Sequence, residues 1–283
     1  MLEPIINLLG EHKSGLTENE QRLVAVLTSD PAGAAYLSGR ELAQAAGVHE
    51  SSAVRLAQKL GFDGYPAFRR ALRKEQQDAA MEPSQRVART LAEVADGELW
   101  RSLLSHEVES MLACEQHISQ KQLDEAAQML AGARQIHLWA TGNAKILTDL
   151  LDRRLRSAGL PVRNISHEGR ELAERLVDMD RRDVLLAFAF RRVPKALPVL
   201  LRHARDCGTR SLLIADTLAH TVDLPAHLVL AAPRGDSEKF LTLSVPMLIT
   251  NALVLTLLAR TRKRAMHNLH KLQTLRRELG DAV

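Results

Sequence analysis

The chain has 283 residues, 46% hydrophobic and 25% charged. That ordinary globular balance excludes extended disorder and, at roughly 100–200 residues per domain, suits two domains while leaving one large α/β domain open. Lys and Arg number 38 against 34 Asp and Glu, a formal charge of +4, so any binding to nucleic acid has to come from local clustering and not from a global field. Five Phe, two Tyr and two Trp are too few for a surface that stacks single-stranded bases. Two cysteines, Cys114 and Cys207, cannot build a disulfide framework or a multi-cysteine zinc site, which points to a reducing cytoplasm. Residues 1–13, MLEPIINLLGEHK, have no basic start and no small-residue cleavage site, and they do not read as a signal peptide.

The first informative segment is Leu37–Leu60, LSGRELAQAAGVHESSAVRLAQKL. Ser38 followed by Glu41 is a capping box. It predicts a helix running to about Ala46, with Gly47 as the turn residue. A second helix is expected from His49 or Glu50 to Gly61, which completes a helix-turn-helix layout. At about 100° per residue, Ala53, Leu56, Ala57 and Leu60 share one stripe toward the first helix. Ser51, Arg55 and Gln58 lie opposite, with Ser52 and Lys59 at the edge, all of them hydrogen-bonding types suited to base edges and phosphates. Between Arg40 and Lys74 seven Lys/Arg stand against three acids, whereas acids outnumber bases in residues 1–39. An ordinary amphipathic helix pair with a solvated polar face would show the same pattern.

The flanking residues separate the two readings. Leu16–Pro31, LTENEQRLVAVLTSDP, and Gly61–Leu72, GFDGYPAFRRAL, together with the turn, resemble the N-terminal domain of RpiR/MurR-type bacterial transcription regulators. That family's usual pattern, LA...GVS..TV.R...KLGF.GY..F, is matched at Leu42-Ala43, Gly47-Val48, Ser52, Val54, Arg55, Lys59-Leu60-Gly61-Phe62, Gly64-Tyr65 and Phe68. His49 departs from the family's usual Ser at the N-cap, and a lost cap costs about 1 kcal/mol. The resemblance implies double-stranded DNA as partner, with Ser51, Ser52, Arg55, Gln58, Lys59, Tyr65, Arg69 and Arg70 as candidate contacts.

Residues 78–130 are helical and charged, and from about 135 onward short apolar runs alternate with helical stretches. Strands are expected at Gln135–Ala140, Leu160–Ile165, Val184–Phe190, Ser211–Ala215 and Leu228–Ala232, with helices such as Ala144–Ala158 and Lys195–Asp206 between them. Such alternation gives a parallel sheet covered on both faces, and ligands bind beyond the carboxyl ends of its strands. The family couples its DNA reader to a SIS domain that usually senses phosphorylated sugars, and residues 121–260 resemble that domain in element order. The fold class expected is therefore an all-α helix-turn-helix domain followed by an α/β SIS-type three-layer sandwich. The boundaries expected are 1–77 for the DNA-binding domain, 78–120 for a helical linker, 121–262 for the SIS-type domain and 263–283 for a basic terminal helix.

The two loops that the family uses to hold phosphate are altered. The first, usually like G.G.S, is Ala140-Thr141-Gly142-Asn143-Ala144-Lys145 here; the second, usually like S.SG.T, is Ala189-Phe190-Arg191-Arg192-Val193-Pro194. Thr141, Gly142, Asn143 and Lys145 keep a small residue and hydrogen-bond donors. Arg191 and Arg192 place guanidinium groups, which suit carboxylate or phosphate, where the hydroxyls are gone. An anion site and simple pairing with helix acids or a dimer partner are both open for these two arginines. Ser237 and Glu168 are weaker pocket candidates, and His167 beside Glu168 is weak as an acid/base pair. His267 and His270, spaced i,i+3, lack further ligands for a metal; no metal and no cofactor are expected.

Leu241–Ala259 carries no charge over 19 residues, long enough to span a bilayer. Its Thr and Asn residues, a possible Ser244 cap and Pro246 in the first turn instead predict a helix buried in a soluble core. Arg260–Arg277 holds seven Lys/Arg and no acid, and its spaced Met266, Leu269, Leu272 and Leu275 leave open a helix packed on a partner subunit or an added phosphate contact. The reading as a whole is a cytoplasmic regulator, a homodimer or homotetramer on a pseudo-palindromic operator, answering to a small anionic effector. A sugar-phosphate isomerase and a DNA-binding protein with a ligand-free dimerisation domain are the alternatives.

Overall fold

Ser38 starts the structure of the helix-turn-helix as the sequence requires: its hydroxyl accepts from the Glu41 amide while the Glu41 carboxylate accepts from the Ser38 amide at 2.7 Å. The computed structural model describes residues 15–29, 31–80, 82–94, 97–216, 224–236 and 239–280. These divide into two units, one built on residues up to 102 and the other on residues 103–216, 224–235 and 242–280.

The first unit is all helical: α1 (Glu18–Ser29), the short α2 (Pro31–Ala34), α3 (Gly39–Ala45), α4 (Glu50–Lys59), α5 (Tyr65–Ala80) and α6 (Pro83–Glu93). Between α3 and α4 the chain turns at Gly47, with φ 65°, and α4 stops at Gly61, with φ 84°; both are left-handed positions that glycine takes without penalty. His49 does fill the N-cap of α4, because its Nδ1 accepts from the Ser51 amide at 3.3 Å. The departure from the family's usual serine therefore leaves that amide satisfied. Leu23, Leu42, Ala53, Leu56, Ala57, Leu60, Phe68 and Leu72 form the core.

In the second unit α7 (Leu99–His117) and α8 (Gln120–Ala131) precede β1 (Ile136–Trp139), α9 (Lys145–Ser157), β2 (Val162–Asn164), α10 (Gly169–Leu176), β3 (Val184–Ala189), α11 (Ala196–Asp206), β4 (Arg210–Ala215), β5 (Leu228–Ala231), α12 (Ser244–Arg260) and α13 (Arg262–Glu278). The five strands pair in parallel in the order β2-β1-β3-β4-β5. Each lies within, or one residue outside, the apolar run that predicts it. Leu138, Leu186, Leu212 and Leu230 share one core with α8, α9 and α12, while α10 and α11 bury Leu172, Leu176, Leu197, Leu200 and Leu201. The result is the expected three-layer α/β sandwich. The uncharged stretch forms α12, which buries Val245, Ile249, Leu253, Val254 and Leu257. No single helix among the described residues is long and apolar enough to cross a membrane. Ser244 is not the cap of α12 but its first residue; its amide is met by the Thr242 hydroxyl at 3.1 Å.

A buried carboxylate ties the amino ends of β1 and β3. Asp183 is fully buried and accepts from Arg134 Nε and Nη2 at 2.8 and 2.7 Å, from the Asp180 amide at 3.1 Å and from His137 Nε2 at 3.3 Å. Burial alone would raise its pKa, but these hydrogen bonds hold it below the usual carboxylate range. Burial in turn pushes His137 below the ordinary imidazole range despite the carboxylate beside it, so at neutral pH it is a neutral donor. Asp183→Asn should cost about 2–4 kcal/mol at pH 7 by urea unfolding. A depressed carboxylate contributes its stability above its unfolded pKa and loses it as pH falls through the folded value. The gap between wild type and variant should therefore narrow in acid; a gap that stays constant with pH would contradict an ionised Asp183.

Candidate nucleic-acid interface and effector loops

Packing fixes which side chains α4 shows. Ala53, Leu56, Ala57 and Leu60 face inward, and Ser51, Arg55 and Gln58 are exposed. Arg55 Nη2 lies 3.4 Å from the Ser51 hydroxyl, so the two lie along one ridge of the outward face. On α5, Arg70 is exposed and Arg69 half-buried, while Arg73 is held by the Ala35 carbonyl at 3.1 Å and sits 5.2 Å over the Tyr36 ring.

Three candidates are engaged within the unit itself. Ser52 is 3% exposed because it sits on the core side of the stripe's edge. Lys59 donates to the Gly15 carbonyl at 2.6 Å and to Glu20 at 2.9 Å, which anchors the end of α4 to the start of α1. Glu20 itself is largely buried; burial works against its charge, but the bonds from Lys59 and Thr17 keep it below the ordinary carboxylate range. Tyr65 is 5% exposed, packs at a tilt on Phe68 with ring centroids 5.9 Å apart, and donates to the Leu37 carbonyl at 3.1 Å. Its ring lies against Gly39, where an added Cβ would come within 3.1 Å. Burial pushes its hydroxyl pKa up to about 12. Tyr65 is thus a strut between α3 and α5.

In the α/β unit the strand order reverses between β1 and β3, the switch point at which doubly wound sheets bind ligands. Both altered loops open there. After β1, Thr141 is half-buried, and Gly142, Asn143 and Lys145 are exposed. Gly142 takes φ 55° with open space where a Cβ would stand, leading into α9. Ser166 supports this loop: its hydroxyl accepts from the Ala140 amide at 3.1 Å and lies 3.3 Å from Thr148 Oγ1.

After β3, Arg191 has φ 66°, the one non-glycine positive φ among the described residues. A side chain held there costs of order 1–2 kcal/mol. What holds it is Asp216, at the end of β4, whose Oδ2 accepts from the Arg191 amide at 2.7 Å. The same oxygen meets Arg234 Nε and Nη2 at 3.2 Å each, and Arg234 lies 4.8 Å over the Phe190 ring and donates to the Thr242 carbonyl. Asp216 and Arg234 are both under a tenth exposed. Arg192 is exposed. Ser237 lies outside the described residues. Glu168 is exposed without a side-chain capping bond, and His167 pairs with Glu171 at 3.0 Å, not with Glu168. His267 and His270 are exposed, and no group of three or more metal-ligating side chains occurs among the described residues.

Sequence reasoning missed Ser166, Asp216 and Arg234. Asp216 directly follows an apolar strand, a position that could have marked it. Its partner is 18 residues away, and nothing local marks Arg234.

Residues 4–79 match the model of the helix-turn-helix domain of the rpiR family. The chain is 33% identical over 131 residues, 45% of its length and 46% of the relative's, to an uncharacterized HTH-type transcriptional regulator, YfhH, of Escherichia coli. It is 30% identical over 139 residues, 48% of each chain, to the HTH-type transcriptional regulator HexR of Pseudomonas aeruginosa. The matched stretch spans about half the length of these curated relatives. Among solved structures, the sugar isomerase domain of an RpiR transcription factor from Sphaerobacter thermophilus superposes with TM-score 0.57 at 18% identity, over 62% of this chain and 98% of that one. The Vibrio vulnificus NanR protein complexed with ManNAc-6P gives TM-score 0.56 at 16% identity, over 98% and 99%. The N-terminal unit belongs to the rpiR family of helix-turn-helix domains. The α/β unit has the SIS-type fold.

Tyr65→Phe should lower stability by about 1 kcal/mol, because the bond to Leu37 is removed, and leave DNA affinity unchanged. Chemical unfolding and duplex titration measure the two effects separately; weaker DNA binding at unchanged stability would return Tyr65 to the interface.

Proposed function

We propose that this chain is a transcription regulator that binds a pseudo-palindromic operator as a homodimer or homotetramer in the cytoplasm. Its α/β unit senses a small anionic metabolite: a sugar phosphate, sugar acid or related carboxylate. The observation that carries the proposal is the outward face of α4, where Ser51, Arg55 and Gln58 are exposed, in the unit that also exposes Arg70 on α5. A short helix seated on its neighbour through one apolar stripe fits the major groove. Two such helices would meet half-sites about 34 Å apart, or a multiple of that.

For the α/β unit the support is the opening of both altered loops at the switch point, with Thr141, Asn143, Lys145, Arg191 and Arg192 on them. NanR, similar in fold along its length, was solved complexed with ManNAc-6P. An enzyme is disfavoured because the curated relatives are named transcriptional regulators, and His167 pairs with Glu171 and not with Glu168 as an acid/base couple would. An effector would shift operator affinity by about 1–3 kcal/mol, roughly 5–150-fold.

Arg55→Ala should lose about 1–3 kcal/mol on a selected operator and little on random duplex, read by fluorescence anisotropy. Equal loss on both would refute base reading. In thermal-shift screening of phosphosugars, sugar acids and carboxylates, a compound that raises the wild-type midpoint should fail to do so with Arg192→Gln. A silent panel would favour a ligand-free scaffold.

A further inference from the structure

The terminal helix α13 carries Arg262, Lys263, Arg264, Lys271, Arg276 and Arg277, with Glu278 as its single acid. Its docking is one-sided. Ala265 is buried, Leu269 and Leu272 are half-buried, and Asn268 presses so closely on Gly159, at the end of α9, that no Cβ would fit there. Seven basic residues are arrayed round the rest of the helix: Lys263, His267, His270, Lys271 and Arg277 within about 120° of one another, an arc that also holds Glu278, and Arg264 and Arg262 about 20° and 60° beyond its ends. All seven are exposed, and among the described residues none of the Lys and Arg of this helix has a carboxylate within ion-pair distance. From Lys263 to Arg277 the face is about 21 Å long.

We infer that this face is a second DNA contact, one that grips the phosphate backbone without reading sequence. The inference rests on the proposed DNA-binding role. A duplex offers one charge per about 1.7 Å of axis, so Lys263, Lys271 and Arg277, spread over this length with Glu278 as the one acid among them, meet several phosphates. A second copy of the helix would set like charge against like. Single-stranded nucleic acid is matched less well, since α13 has no Phe, Tyr or Trp to serve as a stacking platform. A membrane surface would need the apolar side, and the first half of that side is already spent on α9.

The experiment uses the full chain, a labelled random-sequence duplex of 30 base pairs and a salt series. Lys263→Gln, Lys271→Gln and Arg277→Gln combined should cut affinity at fixed salt by at least about tenfold. The slope of log K against log salt should become shallower by about 0.9 for each phosphate no longer neutralised. The charge-keeping variant Lys263→Arg, Lys271→Arg, Arg277→Lys should behave as wild type, which separates charge from folding. An unchanged slope in the Gln variant overturns the inference. So does a Gln variant that stops binding vesicles of 30 mol% phosphatidylglycerol while keeping its hold on DNA. Arg55→Ala, run in parallel, tests the head by sequence preference and not by slope. If no sequence is preferred yet the α13 slope change persists, the operator reading falls and this one stands. If the wild type binds no duplex at all, both fall.

Discussion

Four side chains determine what α4, the second helix of the helix-turn-helix, can offer a ligand. Ala53, Leu56, Ala57 and Leu60 are buried against α3 and its neighbours, and burying each leucine is worth about 1.5–3 kcal/mol. Once that stripe is down, rotation of α4 is no longer free, and Ser51, Arg55 and Gln58 have to point outward. The capping bonds at Ser38 and His49 fix where the two helices start, and the ion pair of Lys59 with Glu20 fixes where the second one ends. The exposed face follows from burial of the opposite one.

The α/β unit carries a buried carboxylate at each end of its strands. At the amino ends, Asp183 gathers Arg134 and His137 into one hydrogen-bonded network. At the carboxyl ends, Asp216 holds Arg191 in a left-handed conformation and neutralises Arg234. The loop after β3 carries that strain, at the switch point of the sheet. The same carboxylate thus shapes one altered loop and satisfies a guanidinium that would otherwise be buried without a counter-charge.

Legibility in the sequence tracks how local the cause is. Strands buried on both faces announce themselves as continuous apolar runs, so all five are readable to within a residue or two. The capping box at Ser38 and Glu41 is written in four residues. The burial of α12 is readable from Pro246 and its scattered hydroxyls, because those features belong to a core helix. Tyr65 misleads: its partners, Leu37 and Gly39, lie far back along the chain, and a motif shows that a residue matters without showing why. Ser52 sits at the margin of the polar arc, where a shift of a few tens of degrees decides between core and solvent. The pairing of Asp216 with Arg234 and the backbone of Arg191 depend on where β4 and β5 come to lie, and no local pattern encodes that.

The central claim is that the outward face of α4 selects a DNA sequence. Repeated selection of bound duplexes from a fully random pool, followed by sequencing, tests it most directly. The account expects enrichment of one motif with two inverted halves a helical turn, or a multiple of it, apart. A pool that still binds after several rounds but shows no enriched motif would contradict it.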